Sequence, residues 1–319
     1  MSLSRRAFIG GLIGTAAGGI VLGNSCYHHF QKRNTQSLEK VLLIGVDGLR
    51  PDALLQAATP HLDALISDGA YSFEARTGTH TITGPGWSNV LTGVWEDKHG
   101  VKSNGIKDNT FDGANYQKYP TFLTRIEDHK PSLHTSIIAS LDWITKSITS
   151  KADAKIYHPF DDEGDRRVAE AAAYLLEHRN MDFMFAYFLG VDIAGHNYGF
   201  DPNLPEYLSE IETVDHYVGM LMGALKKRPA YSEERWLTIF TSDHGGKGKH
   251  HDGVGEEAQK VPLIMHGAAV QQGVILPVPA QIDIAPTILS YLGVPIKEEW
   301  GLDGKVVGLK QSYIRVESP

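Results

Sequence analysis

The chain has 319 residues, a formal net charge of −8, 15 histidines and a single cysteine, Cys26. Its length suits one large α/β domain with a substantial buried core. The acidic balance and the lack of any Lys- or Arg-rich run in the sequence argue against nucleic acid as a structural partner. Because Cys26 lies near the start of the chain, we expect no intramolecular disulfide, cysteine nucleophile or cysteine-based zinc site.

The first 30 residues have the features of a bacterial export signal. A twin-arginine pattern, Ser4–Ile9, precedes the glycine-rich stretch Gly10–Gly23, which is too short and too weakly apolar for a membrane span. We predict that residues 1–30 are a twin-arginine-type signal read by the twin-arginine export machinery, and that the protein is periplasmic or on the cell surface. Cys26 follows a small residue and is a candidate lipid-anchor site, as in a lipoprotein. The polar residues 31–40 are predicted to be a linker.

The chain then alternates strand-like and helix-like segments, beginning with the continuous apolar run Val41–Val46. Helix starts are predicted at Pro51 and over Pro60–Ile66. Further strands are predicted at Ala70–Ala75, Thr135–Ala139, Phe183–Leu189, Trp236–Thr241 and Pro262–Met265, and helices at Gly164–His178, Leu204–Leu225 and Ala285–Leu292. Residues 102–120 are predicted to be a loop over the sheet edge. The alternation predicts an α/β fold, with a mainly parallel central sheet and helices on both faces.

Aspartate and histidine side chains follow several of these predicted strands. They are Asp47, the pair Asp192 and His196, the adjacent Asp243 and His244, and His251. Each alone is readily explained as a helix cap, a turn residue or an ordinary histidine. Together they predict a metal site, because parallel strands deliver the residues that follow them to one edge of the sheet. Nitrogen and oxygen ligands without thiolates suit zinc.

A second chemical element begins at Thr83. The segment Thr83-Gly84-Pro85-Gly86-Trp87 predicts a helix with Thr83 as its N-cap and proline in the first turn. A helix start of this kind favours a bound anion, so the threonine hydroxyl would lie beside a phosphate pocket. The hydroxyl is unreactive at its ordinary pKa, and a bound cation is one way to generate the alkoxide.

Four ordered motifs resemble the alkaline phosphatase superfamily, and within it the type I phosphodiesterase and nucleotide pyrophosphatase branch. The resemblance covers nearly all of residues 41–310. Its motifs are Val46–Asp52, the Thr83 helix start leading to Leu91-Thr92-Gly93 and Lys98–Val101, Asp192–His196, and Ser242–Gly245. It implies an alkaline-phosphatase-like fold and a single metal-dependent hydrolase domain at residues 41–319.

The resemblance also implies two divalent metal ions, normally zinc. One ion would be held by Asp47, Asp243, His244 and the Thr83 oxygen, and the other by Asp192, His196 and a late histidine. Spacing from Asp243 and from Val261-Pro262 favours His251 as that late ligand, with His250 as the alternative. The implied reaction is hydrolysis of a small-molecule phosphate ester through a covalent phosphothreonine at Thr83. Thr81 is the alternative nucleophile.

The chain departs from the family pattern at Gly86, where the branch usually has an asparagine that holds a phosphoryl oxygen. We therefore expect the backbone N–H groups from Gly84 to Trp87, or the side chain of Asn104, to bind the substrate. Asn104 matches a family asparagine near the substrate pocket.

Other functions remain open from the sequence. A sulfatase needs a C/S-x-P-x-R pattern, whereas Thr83–Trp87 contains no arginine. A phosphomonoesterase is harder to separate from a phosphodiesterase by spacing alone. The chain could also be a catalytically inactive, metal-binding exported protein, although each expected ligand and the nucleophile are present. The leaving group is not specified by the sequence.

Overall fold

The computed structural model describes residues 38–149, 151–253 and 255–314. The predicted export signal, Cys26 and the predicted linker up to residue 37 lie outside the described residues. Among the described residues, no helix combines the length and apolar character needed to cross a membrane.

A large sheet of eight strands forms the centre of the molecule. The described residues form ten strands, in chain order β1 (Glu39–Val46), β2 (Ala70–Arg76), β3 (Ile106–Lys107), β4 (Thr110–Phe111), β5 (Thr135–Ala139), β6 (Ala154–Tyr157), β7 (Phe183–Phe188), β8 (Arg235–Ser242), β9 (Lys260–His266) and β10 (Gly273–Val274). The large sheet has the order β10-β2-β9-β8-β1-β7-β5-β6, and β3 pairs with β4 in a separate hairpin.

Within the same described ranges, ten α-helices connect and cover these strands. They are α1 (Pro51–Leu54), α2 (Pro60–Ser67), α3 (Thr83–Thr92), α4 (Glu96–His99), α5 (Phe122–His129), α6 (Gly164–His178), α7 (Gly190–Asn197), α8 (Pro205–Lys226), α9 (Glu256–Gln259) and α10 (Ile284–Tyr291). A π-helical turn spans Ile144–Ile148, and 3₁₀ turns lie at Gln281–Asp283, Glu298–Trp300 and Gln311–Tyr313.

The sheet is mainly parallel, as predicted. Strand β1 runs parallel to β7 and β8, and β5 runs parallel to β6 and β7. Strand β9 is antiparallel to both of its neighbours, β2 and β8. Consequently β2 runs in the same direction as β8, and β9 begins at the edge where the parallel strands end. The chain segments that follow β1, β2, β7 and β8 therefore all start at this carboxyl edge.

Helices cover both faces of the sheet because β1 is apolar on both of its faces. Val41 and Leu43 join one hydrophobic core with residues of α3, α5 and α10. Leu42 and Ile44 join a second core with residues of α2, α6 and α8. Side chains that alternate along a strand point to opposite faces, so a strand buried on both sides reads as a continuous apolar run.

Some elements differ from the sequence-based prediction. Strand β1 begins at Glu39, two residues before the predicted start. The predicted loop at 102–120 contains the β3–β4 hairpin, whose turn residues Asp108 and Asn109 have φ angles of 52° and 61°. Asp and Asn adopt this left-handed conformation more readily than other residues with a side chain. Helix α5 and strand β6 were not predicted, because short elements carry little periodic signal.

Replacing Gly45 in β1 by alanine tests how tightly α3 packs on the sheet. The new Cβ would lie 2.3 Å from Trp87 Cη2 and 2.6 Å from Phe185 Cε2. We expect Gly45→Ala to lower the free energy of unfolding by about 1–3 kcal/mol through overpacking, measured by urea denaturation. Gly223→Ala in α8 is the control, because a Cβ there meets nothing within 4 Å; it should leave stability unchanged or raise it by up to about 1 kcal/mol. Equal stability of Gly45→Ala and wild type would contradict this packing.

Candidate active site

The three central strands of the sheet bring the predicted acidic residues together. Asp47 directly follows β1, Asp243 directly follows β8, and α7, which carries Asp192, begins two residues after β7. Strands β8, β1 and β7 are neighbours in that order. Because the strands are parallel, the three carboxylates meet at the carboxyl edge of the sheet.

The first cluster consists of Asp47, Asp243 and His244, whose ligand atoms all lie within 4.8 Å of one another. His244 Nε2 lies 3.4 Å from Asp47 Oδ1 and 3.3 Å from Asp243 Oδ2. All three side chains are fully buried. These are the three protein side chains that the sequence predicts for one metal ion, apart from the Thr83 oxygen.

The second cluster consists of Asp192, His196 and His251, again with ligand atoms within 4.8 Å of one another. Asp192 and His196 are four residues apart on α7 and therefore share one face of that helix. His196 Nε2 lies 3.4 Å from Asp192 Oδ2 and 3.1 Å from His251 Nε2. His250, the alternative late ligand, belongs to neither cluster among the described residues. The His244 and His251 rings stack with centroids 4.0 Å apart, so the two clusters are adjacent.

Backbone carbonyl groups fix the orientation of all three imidazole rings. His244 Nδ1 donates to the Gly245 carbonyl (2.9 Å). His196 Nδ1 donates to the Lys249 carbonyl (3.0 Å), and His251 Nδ1 donates to the Thr81 carbonyl (2.6 Å). A carbonyl only accepts hydrogen bonds, so each Nδ1 carries a proton and each Nε2 is the ring nitrogen left to bind a metal. All three Nε2 atoms face the clusters, which is the arrangement of metal-ligating histidines.

The electrostatics of the clusters favour a bound cation. Burial, and then the negative charges of Asp243 and Asp192, raise the pKa of Asp47 well above its usual range. Burial and then Asp192 raise the pKa of Asp243 in the same way. Burial and then His244 lower the pKa of His251 to about 3, so its imidazole is neutral and able to bind a metal.

Four buried atoms of these residues have no hydrogen-bond partner in the described part of the chain: Asp47 Oδ1, Asp192 Oδ1, Asp243 Oδ2 and His244 Nε2. Leaving buried polar atoms unpaired is costly, and crowding carboxylates without a counter-charge is costlier still. Divalent cations would satisfy both requirements. The residues present therefore fit two metal ions with nitrogen and oxygen ligands.

Two side chains that were not predicted from the sequence contact Asp47 and hold the first cluster in place. The Tyr187 hydroxyl donates a short hydrogen bond to Asp47 Oδ2, and Trp87 Nε1 lies 3.4 Å from the same oxygen. These donors leave Asp47 Oδ1 facing His244. One feature of the sequence points to the hydrogen bond from Tyr187: a tyrosine lies near the end of the apolar strand β7, and a buried tyrosine hydroxyl needs a hydrogen-bond partner.

Other polar contacts position the backbone around the clusters. The Asp165 carboxylate accepts the Leu189 and Gly190 N–H groups at the start of α7. The Gln281 amide donates to the carbonyls of Ser242 and Asp243, at 2.8 and 2.6 Å. These contacts join residues far apart in the chain, so sequence spacing carries no sign of them.

Thr83 is buried at the start of α3, but it is not the N-cap. Ile82 occupies the N-cap with an extended backbone (φ −133°, ψ 150°), and Thr83 is already the first helical residue. The prediction of Thr83 as a capping residue is therefore corrected. Its side chain has no hydrogen bond among the described residues. By contrast, the Thr81 hydroxyl donates a short hydrogen bond to the His251 carbonyl. The structure thus uses Thr81 to hold His251 and leaves the Thr83 hydroxyl free.

The backbone N–H groups of Gly84 and Gly86, which the sequence offers as substrate contacts beside Asn104, already have acceptors within the protein. Gly84 N–H donates to Asn104 Oδ1 (2.7 Å), Gly86 N–H donates to the Ile82 carbonyl (2.9 Å), and Pro85 has no N–H. Because Asn104 Oδ1 accepts from Gly84, its amide nitrogen Nδ2 remains available as a donor near Thr83. The structure therefore favours Asn104, of the three predicted substrate-binding residues, as the polar donor.

Close packing explains why position 86 is glycine rather than the asparagine usual in the family. A Cβ at Gly86 would lie 2.7 Å from the Asp243 carbonyl oxygen and 2.8 Å from Asp243 Cβ. The first turn of α3 therefore packs directly against the residue that follows β8. Any larger side chain would move α3 away from the first cluster.

Comparisons with known proteins identify the family to which the chain belongs. The family model described as type I phosphodiesterase / nucleotide pyrophosphatase matches residues 41–256, more than half of the chain. The chain belongs to this family. The resemblance inferred from the four sequence motifs is thereby confirmed.

Curated relatives of the chain are longer proteins. The chain is 29% identical over 262 residues to GPI ethanolamine phosphate transferase 1 of Schizosaccharomyces pombe, covering 73% of this chain and 27% of the relative. It is 28% identical over 228 residues to human ectonucleotide pyrophosphatase/phosphodiesterase family member 5, covering 65% of this chain and 45% of the relative. The chain thus spans less than half the length of each.

Solved structures share the fold of the chain at low sequence identity. A 2-O GAG sulfatase superposes with a TM-score of 0.69 and 17% identity, covering 85% of this chain and 73% of the sulfatase. An inactive variant of murine ectonucleotide pyrophosphatase/phosphodiesterase 5, in complex with AMP, gives a TM-score of 0.63 and 16% identity, covering 80% of this chain and 95% of that protein. These similarities confirm the predicted alkaline-phosphatase-like fold class.

The contact between Tyr187 and Asp47 generates a prediction for metal binding. Tyr187→Phe removes the hydroxyl that orients Asp47, so we expect zinc affinity to fall by about 10–100-fold, measured by competition with a chromogenic chelator. Tyr291→Phe is the matched control, because its hydroxyl donates to the Arg235 carbonyl (2.6 Å), at the opposite end of β8. Unchanged zinc affinity in Tyr187→Phe would show that this hydrogen bond does not position a ligand.

Proposed function

We propose that the protein is a two-metal hydrolase of small-molecule phosphate esters, a phosphodiesterase or nucleotide pyrophosphatase with Thr83 as nucleophile. One observation carries the proposal. Two adjacent clusters of Asp and His side chains, with four unpaired buried atoms, lie at the same sheet edge as a threonine hydroxyl that has no hydrogen bond among the described residues. Family membership supports the reaction class.

The two clusters would each hold one divalent cation, and the donor atoms suit zinc. Asp47, Asp243 and His244, with the Thr83 oxygen, would hold one ion; Asp192, His196 and His251 would hold the other. When bound, such ions stabilise charge on the attacking, nonbridging and leaving oxygens of a phosphoryl group and lower the pKa of a bound hydroxyl.

Hydrolysis would proceed in two displacements at phosphorus. In the first, the Thr83 oxygen loses its proton to solvent and bonds to phosphorus; the bond from phosphorus to the leaving oxygen breaks, and that oxygen departs with the electron pair and is protonated from solvent. In the second, a water oxygen attacks the phosphothreonine from the vacated side and loses a proton to solvent; the bond between phosphorus and the Thr83 oxygen breaks, and that oxygen keeps the electron pair and is protonated from solvent. The Asn104 amide donates to a nonbridging oxygen in both steps.

Residue identity at the nucleophile separates this proposal from sulfate ester hydrolysis. Although sulfatases share the fold, the chain has Thr83 where a sulfatase needs cysteine or serine, and Thr83–Trp87 contains no arginine. The sequence relatives of the chain instead include a pyrophosphatase/phosphodiesterase, a bis(5′-adenosyl)-triphosphatase and an ethanolamine phosphate transferase. Phosphomonoester hydrolysis remains the alternative, and the substrate panel below distinguishes it.

We also propose that the protein is exported through the twin-arginine route. The support is the Arg5-Arg6 pair followed by Gly10–Gly23. Expression of the full chain beside an R5K/R6K double variant should place only the wild type outside the cytoplasm in cell fractionation. Equal distribution of the two proteins would contradict this route.

Substitution of Thr83 tests the nucleophile. We expect Thr83→Ala to lower kcat on the order of 10⁴–10⁶-fold, because the covalent step is lost, while the bound zinc measured by elemental analysis stays near two per chain. Thr83→Ser, which keeps a hydroxyl, should retain measurable turnover. Acid quenching with a ³²P-labelled diester should trap label on wild type and none on Thr83→Ala. Label trapped equally on both proteins would move the nucleophile elsewhere, with Thr81 the next residue to examine.

A substrate panel tests the reaction class. Zinc-loaded protein should hydrolyse bis-p-nitrophenyl phosphate faster than p-nitrophenyl phosphate, and p-nitrophenyl sulfate least. EDTA should abolish the activity and zinc should restore it, because the ligand clusters supply no other source of Lewis acidity. Faster cleavage of the monoester would favour a phosphomonoesterase, and full activity in EDTA would remove the metal from the proposal.

A further inference from the structure

His99 is a buried histidine outside the two metal-ligand clusters. It is the last residue of α4, and its side chain is excluded from solvent. Burial lowers the pKa of His99 to about 4, so its imidazole is uncharged at neutral pH. A buried neutral imidazole needs one hydrogen-bond donor and one acceptor from the protein, because it has one bare nitrogen and one N–H group. The two partners of His99 therefore show which parts of the structure it connects.

The hydrogen bonds of the two ring nitrogens define a single tautomer of His99. The Val101 N–H donates to His99 Nδ1 (3.1 Å). Because a backbone N–H only donates, Nδ1 carries no proton and the ring proton lies on Nε2. His99 Nε2 donates to Asn89 Oδ1 (2.9 Å), on α3. His99 therefore connects the segment after α4 to α3 through two hydrogen bonds of fixed direction.

The hydrogen bond from His99 Nε2 continues through side chains to a metal-ligand cluster. Asn89 Oδ1 accepts from His99, so the Asn89 amide nitrogen Nδ2 is left to donate to Gln281 Oε1, at 3.5 Å the longest bond of the path. Gln281 Nε2 in turn donates to the carbonyls of Ser242 and Asp243. Asn89 and Gln281 are both buried. Each donor in this path meets an acceptor, so oriented hydrogen bonds connect His99 to the backbone of Asp243.

The hydrogen bond to His99 Nδ1 holds the loop that carries Asn104. Val101, which donates this bond, lies three residues before Asn104. The His99 carbonyl also accepts the Asn115 N–H (2.8 Å), so both ends of the loop meet at His99. Within the loop, Asn104 Oδ1 accepts the Gly84 N–H at the start of α3. His99 thus fixes the ends of the segment whose amide is proposed to contact the phosphoryl group.

We propose that His99 is a positioning residue that holds two parts of the active site in place through its two ring nitrogens. Nε2 acts through Asn89 and Gln281 on the backbone of Asp243, and so on the first metal-ligand cluster. Nδ1 acts on the loop that carries Asn104, and so on the contact with substrate. The inference rests on the proposed function, since that function assigns metal binding to Asp243 and substrate binding to Asn104. His99 itself takes no part in the bond changes at phosphorus.

Asparagine and glutamine at position 99 separate the roles of the two ring nitrogens. The amide oxygen of asparagine lies close to the position of histidine Nδ1, and the amide nitrogen of glutamine lies close to that of Nε2. We expect His99→Asn to keep the acceptor for Val101 and to lose the donor to Asn89. Zinc affinity, measured by competition with a chromogenic chelator, should fall by about tenfold or more, while kcat for bis-p-nitrophenyl phosphate at saturating zinc falls by no more than about threefold.

His99→Gln should give the opposite pattern, because it keeps the donor to Asn89 and leaves the Val101 N–H without an acceptor. We expect zinc affinity within about twofold of wild type. We expect kcat at saturating zinc to fall by about tenfold or more, since the Asn104 donor is misplaced. Asn89→Leu, which removes the group between His99 and Gln281, should repeat the pattern of His99→Asn and carries the test if neither His99 variant folds.

His134→Gln is the matched control, because His134 is also a buried histidine but directly precedes β5, at the amino edge of the sheet. It should leave zinc affinity and kcat unchanged. Unchanged zinc affinity in His99→Asn or Asn89→Leu, or equal losses of zinc affinity and kcat in both His99 variants, would overturn the positioning role while the proposed function stands. A wild type inactive on phosphate esters would instead overturn the proposed function; lowered zinc affinity in His99→Asn would then still support the path to Asp243.

Discussion

The rest of the structure depends on one constraint: three buried carboxylates lie close together. Asp47, Asp192 and Asp243 meet because β8, β1 and β7 are parallel neighbours whose ends lie at one edge. Burial and mutual repulsion disfavour their ionised forms, so the edge is stable with ionised carboxylates only when positive charge is supplied. Divalent cations bound between these ligands would supply that charge.

The residues around the clusters orient the ligand atoms toward the cation sites and add no charge there. Backbone carbonyls hold the Nδ1 atoms of all three imidazoles, so the Nε2 atoms point toward the clusters. Tyr187 and Trp87 occupy one oxygen of Asp47 and leave the other facing His244. Gly86 lets α3 lie against Asp243, which brings the Thr83 hydroxyl to the same edge. A site assembled in this way needs little rearrangement to bind metal.

Local sequence patterns predicted the metal-ligand residues of the site. Long apolar strands located Asp47 and Asp243, and the motif spacing selected His251, which the structure brings to Asp192 and His196. The unpredicted part depends on contacts between distant segments. The hydrogen bond from Tyr187 joins β7 to the end of β1, and the Asn104 contact with the Gly84 N–H joins a loop to a helix start. The N-cap of α3 was misplaced by one residue because capping depends on the backbone conformation of Ile82, which residue type alone does not specify.

The central claim is that the two clusters each bind one divalent cation, and anomalous diffraction from zinc-soaked crystals tests it most directly. The account predicts two anomalous peaks at the zinc edge. One should lie about 2.0–2.2 Å from ligand atoms of Asp47, Asp243 and His244, and the other at the same distance from Asp192, His196 and His251. A single peak, a peak bound to His250 in place of His251, or no peak at either cluster would contradict the account.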